Sequence, residues 1–289
     1  MRSISELVKN NELLILDGSM GVRAISEGID QNRIQAANIE HPEVIQKIQR
    51  SYLEAGSMAL LTNTFNLTEE TVQSSGFTME EIIKAAFDNA RAAAEGFPDT
   101  YILFDMSPSG YSFHNEDGLF PYEKCYALYS RQVRIAKEFS PDCVFIETIG
   151  MSDEIKAAIN AVRDNSELPI MTSMAFDASG KSWCGEDLKK YAGVVNELKP
   201  LAAGLNCFIT PREMLPLIKE FRELSTQPVL AKPNRGQPVH NGETTTYEMS
   251  PEDYAEELYE VFLDGVRILG GCCGTDEKCL SRFTEKVRA

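Results

Sequence analysis

Two adjacent cysteines near the C-terminal end of the sequence are the residues best suited to do chemistry. Cys272 and Cys273 lie between glycines in the stretch GVRILGGCCGTDEK, residues 265–278. Neighbouring residues of a strand point to opposite faces, so both thiols can share one ligand only where the strand becomes a turn. The preceding glycines and Gly274 permit such a turn, because glycine tolerates positive φ and close backbone approach. We therefore expect both sulfur atoms to face one point.

A third thiol is expected at the same point. Cys207 closes the stretch GLNC, at the end of a predicted strand on the same rim. Three thiolates suit zinc, and three protein ligands with an open fourth position form the catalytic arrangement of this metal. A thiol entering that position would bind as the thiolate, because zinc lowers its pKa. The alternative of simple core packing stays open for Cys207 and is disfavoured for the glycine-bracketed pair.

The remaining cysteines have placements that do not suit a fourth ligand. Cys143 begins a predicted strand, at the opposite end of the fold from Cys207. Cys125 and Cys279 fall in helix-like segments, and Cys184 lies in a loop. We interpret the first three of these as core residues, since buried free cysteine is common.

Eight short apolar runs supply the elements that must position these thiols. Each has the near-continuous hydrophobicity of a strand buried on both faces, and helical patterns fill the gaps between them. This alternation predicts a (β/α)8 TIM barrel, with an open doubly wound sheet as the alternative, and residues 1–289 are expected to form a single domain. The runs cover residues 13–18, 58–65, 101–108, 143–150, 170–176, 202–207, 228–234 and 266–273.

The longest segments without a helix or strand pattern all follow predicted strands. They are residues 107–124, 177–187 and 234–250. In a barrel, loops after strands lie on the C-terminal face, where active sites are built. The sequence therefore predicts that the functional face is the one that carries the three thiols.

Bulk composition excludes some partners. The formal net charge is −16 and the pI is near 4.7, which argues against binding to nucleic acid or to an anionic membrane. No stretch approaches the length of a membrane span, and the N-terminus lacks the apolar segment of a signal peptide. Seven cysteines, an odd number, suggest a reducing compartment, and we expect a cytoplasmic protein.

Six motifs together resemble the homocysteine S-methyltransferase family over nearly the whole chain. They are LDGSMG (16–21), TNTF (62–65), FIET (145–148), GLNC (204–207), PNRGQP (233–238) and GGCCGT (270–275). The PNRGQP motif, followed by Tyr247 and Pro251, most resembles the homocysteine-binding module of cobalamin-dependent methionine synthase. One segment departs from the family: MSPSGYSF (106–113) stands where a GPTG-like turn is common. That departure bears on the methyl donor, and Tyr111, Phe113 and His114 either line its entrance or cover the top of the barrel.

The resemblance implies a zinc-dependent barrel and assigns roles to individual residues. By resemblance, Cys207, Cys272 and Cys273 would be both the metal ligands and the catalytic centre. Asp17 and Glu147 match the acidic positions that hold the amino group of homocysteine. Their alternative role is a helix cap or an ion pair within the barrel.

Four further residues complete the predicted substrate site. Gly18 and Thr64 match the region whose backbone amides receive the substrate carboxylate. Asn206 and Asn234 flank the thiols at the ends of predicted strands 6 and 7, and we interpret them as groups that support the metal ligands or associate loosely with the metal. Their alternative role is to hold backbone turns.

The resulting hypothesis is methyl transfer to the thiolate of homocysteine to give methionine. The predicted donor is methylcobalamin on a separate corrinoid protein or module, because no corrinoid-binding segment is visible in the chain. S-methylmethionine or betaine is the alternative donor, for which Tyr111, Trp183 and Tyr247 are candidate cage aromatics. A zinc- or thiol-binding protein without turnover is the alternative from another class.

Overall fold

The predicted strands all occur in the structure, a computed structural model that describes residues 2–111, 120–241 and 244–289. The runs of apolar residues are buried on both sides, as a parallel sheet covered by helices requires. The strands are β1 (Leu14–Ile15), β2 (Ala59–Leu61), β3 (Tyr101–Met106), β4 (Cys143–Ile149), β5 (Ile170–Met174), β6 (Ala202–Asn206), β7 (Val229–Lys232), β8 (Pro238–Asn241), β9 (Thr244–Tyr247) and β10 (Ile268–Leu269).

Helices connect the strands, and their starts follow the capping signals of the sequence. Thr78 and Thr210 each form a capping box, and Ser250 caps the helix that opens with Pro251. The helices are α1 (Ile4–Lys9), α2 (Gly21–Ser26), α3 (Ala37–Glu40), α4 (Pro42–Glu54), α5 (Glu69–Ser75), α6 (Met79–Ala93), α7 (Tyr122–Ala136), α8 (Ser152–Asn165), α9 (Leu188–Leu198), α10 (Pro211–Leu224), α11 (Pro251–Leu263) and α12 (Glu277–Arg288).

Eight parallel strands of the described chain form one nearly closed barrel. Their order is β1-β10-β7-β6-β5-β4-β3-β2, so only β1 and β2 lack a shared ladder. At this seam the Met58 amide donates to Ile15 O over 2.7 Å. The Leu61 amide donates to a carboxylate oxygen of Asp17, also over 2.7 Å. The Ser57 hydroxyl also donates to Leu16 O across this seam, and the predicted barrel is confirmed.

The apolar core fills the N-terminal half of the barrel. Inward-facing residues such as Leu103, Phe145 and Leu230 form one buried cluster with Ile4 and Leu7 of α1. The first helix therefore covers the N-terminal mouth of the barrel. Polar inward positions occur only further along the strands, which leaves the C-terminal end for a site.

One sequence prediction about the loops is wrong in part. The segment 234–250 was expected to be irregular, but β8 and β9 pair within it as an antiparallel hairpin. Neither strand has the apolar run that identified the barrel strands, because the hairpin lies outside the barrel sheet. Among the helices of the described residues, none combines the length and the apolarity that crossing a membrane requires.

Candidate active site

Three thiols meet at the C-terminal end of the barrel, as the sequence predicts. The Sγ atoms of Cys207, Cys272 and Cys273 all lie within 4.8 Å of one another. Those of Cys207 and Cys273 are 3.9 Å apart. All seven cysteines are free thiols, and Cys125, Cys143 and Cys279 are buried in the core, as predicted.

Unusual backbone conformations produce this convergence. Cys207 and Phe208 both have positive φ, 64° and 62°, where β6 ends. The amide of Cys207 donates to Lys232 O, which ties this turn to β7. Positive φ is unfavourable for residues with a side chain, so such positions persist only where neighbouring groups hold them. Here the ladder to β7 does so.

The second turn holds the adjacent cysteines. Gly274 has a φ of 79°, and a Cβ there would lie 2.5 Å from the ring of Tyr247. The amide of Cys272 donates to Pro233 O, and the amide of Cys273 donates to Asn234 Oδ1 over 3.0 Å. Asn234 therefore holds the turn that carries two of the thiols, rather than presenting its oxygen to the cavity.

The free thiols resist ionisation in this setting. The contact with Cys207, followed by burial, raises the pKa of Cys272 well above its usual range. The contact with Cys272 lowers the pKa of Cys207, but Cys273 and burial raise it by more, to about 12. Three buried thiolates without a cation would repel one another, so the cluster needs a positive charge to ionise.

Asn206 links the thiols to the backbone beside Glu147, which lies two strands away on β4. Its Oδ1 accepts from the Thr148 amide over 3.0 Å, and its Nδ2 donates to Thr148 Oγ1 over 2.6 Å. Thr148 has a φ of 60°, so the side chain of Asn206 fixes a strained residue next to Glu147. The same Nδ2 lies 3.9 Å from Cys272 Sγ.

Asp17 and Glu147 lie together in the barrel, and a lysine that the sequence analysis did not identify lies between them. Lys232 Nζ is 2.9 Å from Glu147 Oε2 and 3.8 Å from Asp17 Oδ1. It also lies 5.2 Å from the centre of the Phe145 ring. The alternative of an ion pair within the barrel is thus realised in this structure. The available signal was a cation at the end of a buried strand, in PVLAKPN.

Burial shifts the pKa values of both Asp17 and Lys232 against the charged form. It raises the pKa of Asp17 to about 6, although Lys232 opposes the change. Burial lowers the pKa of Lys232, but Glu147 and Asp17 raise it by more, so the lysine is charged. Lys232 thus brings a fixed positive charge into the barrel.

A further buried carboxyl, Asp105, was also missed. It ends the inward-facing series of β3, two residues after Leu103, as Glu147 follows Phe145 on the adjacent β4. Burial, followed by the charge of Glu147, raises the pKa of Asp105 well above its ordinary value. An acidic residue at the end of an apolar strand was the signal that could have found it.

The two residues predicted to receive the substrate carboxylate lie at the same end. Gly18 is in close contact with its surroundings, since a Cβ there would lie 2.8 Å from both Thr275 O and the Tyr52 ring. The Thr64 amide donates to Thr62 O, and its hydroxyl donates to Asp105 O. The Thr64 amide is therefore already used, and carboxylate binding by this region stays a prediction.

A cavity of about 320 Å³ joins two of the three thiols to the carboxyls. Its lining includes Cys272, Cys273, Asp17, Gly18, Asp105, Glu147 and Lys232. Exposed apolar side chains of Ile25 and Phe65 lie at its margin. One compartment thus offers soft sulfur donors and a charged end within reach of a small molecule.

Comparison with known proteins assigns this architecture to a family. The profile of the homocysteine S-methyltransferase family matches residues 14–287, nearly the entire chain. The chain belongs to the homocysteine S-methyltransferase family. The enzyme class predicted from the motifs, a methyltransferase acting on homocysteine, is confirmed.

Solved structures share the barrel. The metallated form of the homocysteine methyltransferase MmuM from Escherichia coli has a TM-score of 0.78 and 20% identity, over 98% of this chain and 99% of that one. Its oxidised form has a TM-score of 0.81, 20% identity and 98% coverage of both chains. The carboxyl transferase domain of Rhizobium etli pyruvate carboxylase has a TM-score of 0.58 and 15% identity, over 98% of this chain and 44% of that one. At these identities the similarity shows the fold alone.

The structure describes only some of the residues that the sequence predicts to contact the methyl donor. Phe113 and His114 lie outside the described residues. Trp183 packs against Phe208 at a tilt of 57°, with ring centres 5.5 Å apart, next to Cys207. Tyr247 packs against Gly274, on the other cysteine turn. Both of these candidate cage aromatics thus support the turns that carry the thiols.

Proposed function

We propose that the protein transfers a methyl group to the thiolate of homocysteine, giving methionine, at a zinc ion held by Cys207, Cys272 and Cys273. The observation that carries this proposal is the shared cavity of the thiols and the carboxyls. Homocysteine has a thiol at one end and an ammonium at the other, so the two ends of the cavity match the two ends of the substrate.

The thiol cluster fits zinc by distance and by chemistry. Tetrahedral zinc with Zn–S bonds of about 2.3 Å separates its sulfur ligands by roughly 3.8 Å. The Cys207 and Cys273 sulfurs are 3.9 Å apart. The similarity to a metallated homocysteine methyltransferase also supports a metal here. Bound zinc would supply a Lewis-acid position where the substrate sulfur is held as a thiolate at neutral pH.

The side chains of the protein orient the substrate around that position. Asp17 and Glu147 accept hydrogen bonds from the ammonium, and the region of Gly18 and Thr64 receives the carboxylate. Asn206 and Asn234 keep the cysteine turns and Glu147 in place through the hydrogen bonds described above. Such fixed groups hold the sulfur where a methyl carbon can approach to roughly 3–3.5 Å.

The reaction is a direct displacement. A sulfur lone pair forms the new S–CH₃ bond while the bond from the methyl carbon to the donor breaks, and its electron pair stays on the donor. The substrate thiol proton is lost when the thiolate forms. No protein base has to accept a proton during the methyl transfer itself.

The proposed donor is methylcobalamin carried by a separate corrinoid protein or module. This choice is supported by the likeness of PNRGQP, Tyr247 and Pro251 to the cobalamin-dependent branch. The exposed side chains of Ile25 and Phe65 give the cavity an apolar margin, over which a bulky donor can approach. S-methylmethionine or betaine is the alternative donor, and neither would need a carrier protein.

The test is methionine formation from homocysteine by the zinc-loaded protein, with free methylcobalamin, S-methylmethionine and betaine supplied in parallel. We expect turnover with methylcobalamin and about one zinc per chain. Cys272→Ala should lose both the metal and the turnover, whereas Cys184→Ala, which alters a thiol outside the cluster, should keep both.

Full activity in the metal-free protein would contradict the mechanism. Turnover with S-methylmethionine or betaine only would replace the donor and leave the acceptor site standing. Homocysteine binding without product from any of the three donors, or from a methylated corrinoid protein, would favour a binding protein instead.

A further inference from the structure

The charged end of the cavity holds more carboxyl groups than the family motifs indicate. Asp17, Glu147 and Asp105 all line it, and Lys232 is the one cation among its described lining residues. All four are at least 94% buried, with Glu147 the most exposed at 6%. Such groups are costly to bury unless a partner compensates them, so the imbalance calls for a physical explanation.

Two carboxyl oxygens at this end have no hydrogen-bond partner in the described chain. They are Asp17 Oδ1 and Asp105 Oδ1, and both atoms are buried. By contrast, Asp17 Oδ2 accepts from the Leu61 amide, and Glu147 Oε2 accepts from Lys232. Unsatisfied buried acceptors are uncommon in folded proteins, and recognised reasons for them are a functional role or an ordered water or ion.

The count of charges also indicates that this end of the cavity has too little positive charge. Asp17 and Glu147 as carboxylates together with Lys232 as an ammonium leave a net charge of −1, before Asp105 is considered. Lys232 approaches Glu147 much more closely than Asp17, at 2.9 Å against 3.8 Å. Lys232 therefore compensates mainly Glu147, and its single positive charge does not balance the carboxyl groups at this end of the cavity.

We propose that Asp105 is a third acceptor for the amino group of the substrate, and that Lys232 is a resident counter-ion that leaves room for one further positive charge. This inference rests on the proposed function and adds a substrate-binding residue to it. It makes the cavity selective for thiols that carry a free α-ammonium, because without that group the oxygens of Asp17 and Asp105 stay unpaired.

The setting of Asp105 is rigid, as such a role requires. Its amide donates to Thr62 Oγ1 and its carbonyl accepts from Thr64 Oγ1. The two threonine hydroxyls also contact each other at 2.7 Å. Burial holds the pKa of Asp105 well above its ordinary value, and an arriving ammonium would lower that pKa by favouring the charged form.

The experiment compares L-homocysteine with 4-mercaptobutanoate, which has the same thiol and carboxylate but lacks the amino group. Calorimetric titration of the zinc-loaded protein gives the ratio of the two affinities, in which the thiol and carboxylate contributions cancel. We expect the ratio to fall roughly 10-fold or more in Asp105→Ala, the size expected for losing a hydrogen bond to a charged group, and by less in Asp105→Asn. Affinity for 4-mercaptobutanoate and zinc content should be unchanged.

Asp142→Asn is the matched control. It removes a partly buried carboxylate at the opposite end of the barrel, next to the start of β4. An unchanged ratio in both Asp105 variants would overturn the inference while leaving the proposed function intact. A wild-type protein that binds neither thiol would overturn the proposed function itself. If Asp105→Ala fails to fold, the near-isosteric Asp105→Asn decides the question.

Discussion

The two oxygens of the Asp17 carboxylate have different surroundings. One accepts from the Leu61 amide at the barrel seam, while the other has no hydrogen-bond partner and lies 3.8 Å from Lys232 Nζ. Because burial raises the pKa of this carboxyl to about 6, the free protein loses the negative charge as the pH falls through 6. The site that we propose for an ammonium should therefore weaken on the acid side of neutrality.

We expect the homocysteine to 4-mercaptobutanoate affinity ratio to fall as the pH drops through about 6, by up to tenfold per pH unit. The ratio falls at low pH because the Asp17 carboxylate must be ionised to attract the ammonium. Asp17→Asn should lower the ratio at pH 7.5 and remove the fall near pH 6. A wild-type ratio that does not change between pH 5 and 8 would remove Asp17 from the amino-group site.

At the scale of the element, the turn after β10 depends on a glycine that combines two demands. Gly274 has positive φ, and a Cβ there would overlap the ring of Tyr247, in the hairpin segment after β7. We expect Gly274→Ala to lower the free energy of unfolding by roughly 2–4 kcal/mol, from backbone strain together with overpacking. Zinc affinity should fall as well, because the turn holds Cys272 and Cys273.

Gly28→Ala is the control that separates backbone strain from overpacking. This residue has a φ of 92°, but nothing lies within 4 Å of a Cβ built there, so only backbone strain remains. Denaturant unfolding and zinc titration of both variants provide the measurement. Equal zinc affinity in Gly274→Ala and the wild type would show that the turn does not position the ligands.

The cysteines of this turn show how much of the site could be predicted from the sequence alone. Glycines around two adjacent cysteines, with GLNC at another strand end, were enough to predict that Cys207, Cys272 and Cys273 converge. The eight strands were also predictable, since burial on both faces leaves a continuous apolar run. The hairpin of β8 and β9 was not, because it lies outside the barrel and has no such run.

The ion pairs inside the barrel could not be predicted from the sequence in the same way. Lys232 contacts Glu147 across 85 residues of sequence, and only closure of the barrel determines which inward positions face each other. Asp105 likewise follows an ordinary apolar strand, and its neighbours come from other strands. Sequence therefore identified the acidic positions, while the charge balance among them depends on tertiary structure.

At the scale of the whole molecule, the proposed zinc site joins strand ends that are distant in sequence. Cys207 and Cys273 are 66 residues apart, and β7 lies between β6 and β10 in the barrel. A ligand that binds only the folded state stabilises it by mass action. Zinc should therefore act on global unfolding, as well as on the local turns.

We expect free zinc at 100 times its dissociation constant to add about 2.7 kcal/mol to the free energy of unfolding, which raises the melting temperature by roughly 5 °C. Cys207→Ala should abolish this shift, because two thiols bind the metal far less tightly, whereas Cys184→Ala should keep all of it. Thermal melts with and without a chelator provide the measurement. A zinc-dependent shift of equal size in Cys207→Ala would mean that the stabilising metal binds elsewhere, and the three strand-end thiols would then lose their assigned role.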